Sequence, residues 1–309
     1  MLVVDQTLQA RKSDILTYFR SRTQEIISDL QQEIGSTHYK KLCAELPKEL
    51  KKNRQEIVSA IEQTGRSQKW SNQDVTYTIL LVHHCMNVIM LDTRNEIWPY
   101  DYMSFSRRIG EIWEHFCHKC FVYPNEDLIV FEVPPIFGDV RKQLADEVDK
   151  YISNLPLTKE VINNLKSYYN KTWYLVDAGE IRLDLDVHSR IEKEHFNIDF
   201  KSGFGSNEKG NTNRLLLVAT IYKNMFAETY RNLILVRTPE GDNNHYLQTL
   251  KRSSVWEVHC GDDAYKVIGE FCGIDLSAWI KNNIHWETDL SGPTYQHLKD
   301  KDLIKYLEW

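Results

Sequence analysis

Residues 195–210 read HFNIDFKSGFGSNEKG, and the first seven of them carry the reading of the whole chain. In an extended segment successive side chains alternate between faces. Asn197, Asp199 and Lys201 therefore share one side, and Phe196, Ile198 and Phe200 share the other. One side is core material; the other carries an acid and an ammonium group two residues apart. The strand then breaks into glycine and polar residues, where Gly203, Gly205 and Gly210 let backbone amides approach an anion.

Just upstream, WYLVDAGEIRLDLDVHSR has the same texture. Ile181, Leu183, Leu185 and Val187 alternate with Arg182, Asp184, Asp186 and His188, which predicts a second strand with one apolar and one charged face. A hairpin turning at Glu192-Lys193 sets Asp186 across from Asp199 and Asp184 across from Lys201, about 5 Å apart. Facing carboxylates repel unless something positive lies between them. Mg²⁺ suits that place, because it takes a few carboxylates and keeps several waters. Lys201 can then hold a water or a phosphate oxygen beside the metal, which itself makes bound water a nucleophile. Lys209 and Arg214 add positive charge for a nucleic-acid backbone. A register slip of two would put Asp184 in the place of Asp186. His188 and His195 flank the hairpin and read as hydrogen-bonded strand ends rather than as general bases.

The first third of the chain is helical by pattern. Ile15, Phe19, Ile26, Leu30 and Ile34 form an apolar stripe ending at Gly35-Ser36. A charged helix runs from Lys48 to Glu62 with Gly65 after it, and a third starts at the cap Ser71-Asn-Gln-Asp74. A fourth, SFSRRIGEIWEHFCHKCF, buries Phe105, Ile109, Ile112, Phe116 and Cys120 and gathers Glu111, Glu114 and His118 on its opposite side. VFEVPPIFG reads as a strand or extended loop, and Arg141 to Tyr169 as one or two helices. After the hairpin come a helix over Asn213–Ala227, the strand LILVR, a turn at PEGDNN, the strand VWEVHC and closing helices. The fold class is α/β: a helical N-terminal region, residues 1–100, then a mixed central sheet flanked by helices in residues 101–309.

Composition narrows the function. With 309 residues, 42% of them hydrophobic, the chain can bury a substantial core. A formal charge of −6 argues against indiscriminate coating of nucleic acid but permits a locally basic cleft. The apolar run Tyr77 to Leu91, interrupted by His83, His84 and Asn87, reads as too short to span a bilayer. MLVVDQTLQARK lacks a basic segment followed by an apolar one, and the six cysteines show no framework spacing. The expectation is a cytoplasmic protein with reduced thiols. Cys117-His-Lys-Cys120 lacks the second close pair that structural zinc needs, since only His259-Cys260 follows it. There is no GxxxxGK[ST] loop for nucleotide hydrolysis. Another acid-x-lysine triplet, Glu49-Leu50-Lys51, lies on a charged helix and reads as a solvated face.

Asp186 followed by Asp199-Phe200-Lys201 on the next strand resembles the motif of the PD-(D/E)xK nuclease superfamily. Gly110, with Glu114 four residues later, resembles that superfamily's upstream acidic helix, with Glu111 as the alternative acid. The continuation SGFGSNEKGNTNRLLLVATIY and VWEVHCGDDAY looks like the core of type II restriction endonucleases. The resemblance covers mainly residues 104–275 and implies a restriction-endonuclease-like core. It makes Asp186 and Asp199 the Mg²⁺ ligands, Lys201 the catalytic lysine and Glu114 a contributor, directly or through water. It implies a homodimer that cuts double-stranded DNA at a specific sequence and leaves 5′-phosphates, with residues 1–100 serving dimerisation or DNA contact. A structure-specific repair or defence nuclease, or a non-catalytic DNA-binding module on the same fold, would share these features. The second acid is Asp rather than the commoner Glu, and no proline precedes Asp184 or Asp186.

Overall fold

The computed structural model describes residues 8–35, 38–125, 129–176, 182–205, 208–226 and 230–309. Ser36, Ile181 and Ala227, each part of an expectation above, lie outside them.

The apolar stripe of helix α1 (Leu8–Ile34) buries Ile15, Phe19 and Ile26, and the helix stops at Gly35, whose φ of +82° a side chain would resist. Helix α2 (Tyr39–Gln68) is longer than the expected Lys48–Glu62, running through Pro47 and Gly65. Leu42, Leu46, Leu50, Ile57, Val58 and Ile61 bury one continuous side of it, and that packing outweighs the local penalties of proline and glycine. Gly65 does not follow the helix but lies inside it, where a Cβ would come within 2.8 Å of Val75 Cγ2. Helix α3 (Asn72–Ile97) is capped as expected, with Ser71 Oγ accepting from the Asp74 N–H, and is buried nearly all round. At 26 residues it exceeds the apolar run read from sequence and could cross a bilayer by length and composition alone; here most of its surface is packed inside the protein. Helix α4 (Tyr102–Val122) starts from a reciprocal cap between Asp101 and Ser104.

The sheet has five strands in the order β1 (Val130–Phe131), β2 (Val187–Ile191), β3 (Glu194–Lys201), β4 (Tyr230–Val236) and β5 (Glu257–Cys260). The first three pair antiparallel, and β3, β4 and β5 pair parallel, making a mixed α/β fold. Two helices, α5 (Phe137–Ser153) and α6 (Lys159–Val176), lie between β1 and β2 in the chain. Helix α7 (Lys209–Met225) connects β3 to β4, α8 (His245–Arg252) connects β4 to β5, and α9 (Asp262–Cys272) follows β5. Three further helices, α10 (Leu276–Asn283), α11 (Trp286–Asp289) and α12 (Gly292–Asp300), close the chain.

Period-two alternation sends the two sides of the sheet into different cores. Phe196, Ile198, Phe200, Leu233 and Leu235 share one core with α4, and the Phe200 ring lies 6.1 Å from Trp113 and 5.9 Å from Phe121. On the other side Ile234 and Val236 meet Leu215 and Ala219 of α7 and Leu247 and Leu250 of α8. Both sides of β3 are therefore covered, and Asn197 and Asp199 are as buried as their apolar neighbours. The first core runs without a break from α1 to the closing helices. Lys12 and His84 meet Asp289 at 2.6 and 2.7 Å, so packing continues across residue 100.

Candidate active site

The pairing Val187↔Ile198 fixes the hairpin in the expected register, with the turn at Glu192-Lys193. Continued by one residue, that register sets Asp186 opposite Asp199. The strand expected over 181–188, however, starts only at Val187, and residues 182–186 leave the ladder. Side chains take over their backbone groups. His188 Nε2 accepts from the Leu185 N–H at 2.7 Å, Arg214 Nη1 donates to the Asp184 carbonyl at 3.1 Å, and Tyr222 Oη donates to the Leu183 carbonyl at 3.3 Å. Asp186 Oδ2 accepts from the Phe200 N–H at 2.7 Å, which ties it to the end of β3. The pairing of Asp184 with Lys201 expected from sequence does not form, because the Asp184 segment leaves the ladder and its carbonyl meets Arg214 of α7.

Asp199 is 2% exposed. Its Oδ1 is ion-paired with Lys201 Nζ, and its Oδ2 lies 3.6 Å from Arg214 Nη2. Burial raises the Asp199 pKa, the Lys201 charge opposes that rise, and Asp186 adds repulsion. Burial also works against charge on Lys201, but Asp199 first and then Asp186 and Glu114 overcome it, so its pKa is raised and it remains an ammonium group. Its Nζ also donates to the Phe200 carbonyl at 3.1 Å.

Asp184, Asp186, Asp199, Lys201 and Arg214 line one cavity of about 630 Å³, together with Arg182, Asn213 and Leu217. Glu114 is not on its lining but feels the same charges. Its pKa is pushed up to about 7 by burial, against the pull of Lys201 and with repulsion from Asp186 and Asp199. Gly110 makes this approach of α4 possible, since a Cβ there would stand 3.1 Å from Ser202 Cβ. Glu111, the alternative acid, is held instead by Arg107 Nε and Arg108 Nη1, both at 2.9 Å.

The donor set fits Mg²⁺. Two carboxylates, Asp186 and Asp199, on one open cavity suit an ion that takes few protein ligands and fills its shell with water and phosphate. Among the described residues no three or more His, Cys, Asp or Glu side chains converge as a metal cage. Cys117 and Cys120 are buried on the core side of α4, whereas His118 faces Phe131.

The remaining expectations sort by position. Lys209 is exposed in the first turn of α7, off the cavity, while Arg214 is inside it. Gly203 is pressed against Thr238, whose Oγ1 would be 2.9 Å from a Cβ, whereas Gly205 and Gly210 face open space. His188 is neutral: burial lowers its pKa, Nε2 is an acceptor, and Nδ1–H donates to Asn197 Oδ1 at 2.8 Å. Asn197 passes the chain on to Asn232 Oδ1 at 2.9 Å. His195 Nδ1 meets Glu132 Oε2 at 2.7 Å, at the opposite end of β3 from Lys201. Both histidines are structural, as their strand-end positions implied. Asn213 and Leu217 escaped the sequence reading; their signal was the i, i+4 spacing around Arg214 on one side of α7.

Compared with protein-family models, curated proteins and solved structures, the chain matches none.

Proposed function

We propose that this chain is a Mg²⁺-dependent endodeoxyribonuclease of the PD-(D/E)xK type, built on a restriction-endonuclease-like core and acting on double-stranded DNA as a type II restriction enzyme. The observation that carries this reading is the meeting of Asp186, Asp199 and Lys201 on one cavity, in the hairpin register, with Arg214 beside them and Glu114 coupled to them.

Asp186 and Asp199 would hold the ion. When bound, Mg²⁺ supplies Lewis acidity and lowers the pKa of its water. The Lys201 ammonium group donates to the attacking water or to an oxygen of the scissile phosphate, and Arg214 offsets charge on the DNA backbone. Glu114, with a pKa pushed up to about 7, can take a proton at neutral pH through an intervening water. Attack in line breaks the P–O3′ bond and leaves a 5′-phosphate and a 3′-hydroxyl. A two-fold homodimer would present one such site to each strand of a palindromic sequence.

The test is a digest of sequenced plasmid or phage DNA with Mg²⁺ and with a chelator, followed by mapping of the ends. Discrete fragments with 5′-phosphates in the Mg²⁺ arm alone are expected. A smear or cutting only at branches points to a structure-specific nuclease, and intact DNA in both arms ends the enzyme reading.

A further inference from the structure

Outside the candidate active site, a cavity of about 270 Å³ opens between α2, α3 and the start of α4. One water occupies roughly 30 Å³ in the liquid, so the space takes a small polyatomic ion with part of its hydration shell. Its charged lining is uneven. Arg94 of α3 and Arg107 and Arg108 of α4 supply three guanidinium groups, and Glu111 supplies the one carboxylate. Glu111 is shared, its two oxygens accepting from Arg107 Nε and Arg108 Nη1 at 2.9 Å each. Arg94 forms no ion pair with a carboxylate among the described residues. Its guanidinium is held by rings instead, 4.4 Å from the centre of Trp98 and 4.9 Å from that of Tyr100.

The other groups on the lining offer no compensating charge. Burial raises the pKa of the Cys43 thiol against the pull of Arg94, and burial raises that of the Tyr100 hydroxyl, so both are neutral. Asp101, just ahead of α4, is occupied as its cap by the Ser104 N–H and hydroxyl. On the rim Lys40 lies 5.5 Å from the Trp98 ring and adds to the positive side. Guanidinium groups gathered round a concave site repel one another, and its walls focus their field. Stacking on Trp98 and Tyr100 fixes the plane of Arg94 beforehand, so little side-chain freedom is lost when its N–H groups meet an acceptor. A tetrahedral oxyanion presents acceptors in several directions and relieves the repulsion.

We propose that this cavity is an oxyanion site, which takes a phosphate group between Arg94, Arg107 and Arg108. Glu111 fills part of that place as an internal carboxylate, and the phosphate competes with it for Arg107 and Arg108. Inorganic phosphate and a backbone phosphate of DNA share this chemistry. The DNA source rests on the nuclease reading; the oxyanion site does not. Glu111 lies one turn before Glu114 on α4, which sets the site beside the candidate active site rather than on a remote face.

Alkylation of Cys43 by iodoacetamide in the full chain, followed residue by residue by mass spectrometry, tests it. Cys43 lines the cavity, and Cys260, the other thiol that is not buried, lies on β5 as an internal control. One arm contains inorganic phosphate, a second a short DNA duplex, and a third chloride at matched ionic strength. Phosphate is expected to slow Cys43 relative to chloride and to leave Cys260 unchanged, and the duplex to do so at lower concentration. Arg94→Gln should raise the phosphate concentration for half protection about 10-fold. Arg107→Gln, at a largely exposed side chain, should raise it several-fold without disturbing the fold, and Glu111→Gln should lower it. Equal Cys43 rates in phosphate and chloride overturn the site, even if the duplex covers the thiol or the protein cuts DNA. Protection that Arg94→Gln and Arg107→Gln both leave unchanged overturns the role of the guanidinium groups. Protection by phosphate but not by the duplex keeps the site and overturns its DNA source. Protection by both in a protein that cuts no DNA keeps the site and discards the nuclease.

Discussion

Asp199 and Asp289 are both buried, 2% and 4% exposed, and both face a lysine, yet the protein treats their charges in opposite ways. Asp289 receives Lys12 at 2.6 Å, His84 Nε2 at 2.7 Å and the His285 N–H at 3.0 Å. Burial opposes its charge, but these bonds prevail and bring its pKa down to about 2. Asp199 has Lys201 and a more distant Arg214, and a cavity in front of it. There burial prevails and the pKa rises. Asp289 is a finished clamp joining α11 to α1 and α3. Asp199 has room for one more cation. Equal burial of the same side chain thus separates by saturation into a closed structural cluster and one that faces a cavity.

Removing each charge should sharpen that contrast. Asp199→Asn is expected to lower DNA cleavage by roughly 1,000-fold or more, in gel-based initial rates. It should lower the thermal midpoint less than Asp289→Asn does, because Lys201 keeps Asp186 and Glu114 nearby and the charge removed is one that burial disfavours. Asp289→Asn should do the reverse. It leaves Lys12 buried without its counter-charge and should cost about 3–5 kcal/mol in urea unfolding, with cleavage per folded molecule unchanged. The folded pKa of Asp289 is depressed, so its contribution is complete above the ordinary carboxylate range and fades as pH falls toward about 2. Equal destabilisation by the two variants would erase the distinction.

Glu114 lies between these extremes. Its folded pKa is raised to about 7, so its contribution to stability is present below the ordinary carboxylate range and is lost as pH rises through about 7. Wild-type stability should therefore decline over that window, and Glu114→Gln should flatten the decline while slowing cleavage about 100-fold. The smallest effect belongs to the helix that carries it. Gly110→Ala presses a methyl group to 3.1 Å from Ser202 Cβ and should cost about 1 kcal/mol, read as a modest drop in thermal midpoint.

Much of this contrast was legible in the chain for local reasons. The register of the hairpin followed from its two-residue turn, even though Glu192 takes a φ of +54° that glycine would adopt more readily. The stripe of α1 and the caps of α3 and α4 are likewise local signals. The departure of residues 182–186 from the ladder was not legible, because it depends on His188, Arg214 and Tyr222 reaching back from other elements. Alternation also hides the covering of the polar side of β3: only the return of α7 and α8 over the sheet buries Asn197 and Asp199. Gly65 pointed to a shorter α2, and long-range packing against α1 and α3 overrode it. The clamp at Asp289 joins residues 277 apart in sequence, beyond the reach of any periodic pattern.

Side-by-side digestion of a long linear DNA by the wild type and by Lys201→Ala, with Mg²⁺, is the most direct test of the proposed active site. Discrete fragments from the wild type and intact DNA from the variant are expected. Identical digests from the two proteins would show that the ammonium group beside Asp199 has no part in breaking the phosphodiester bond.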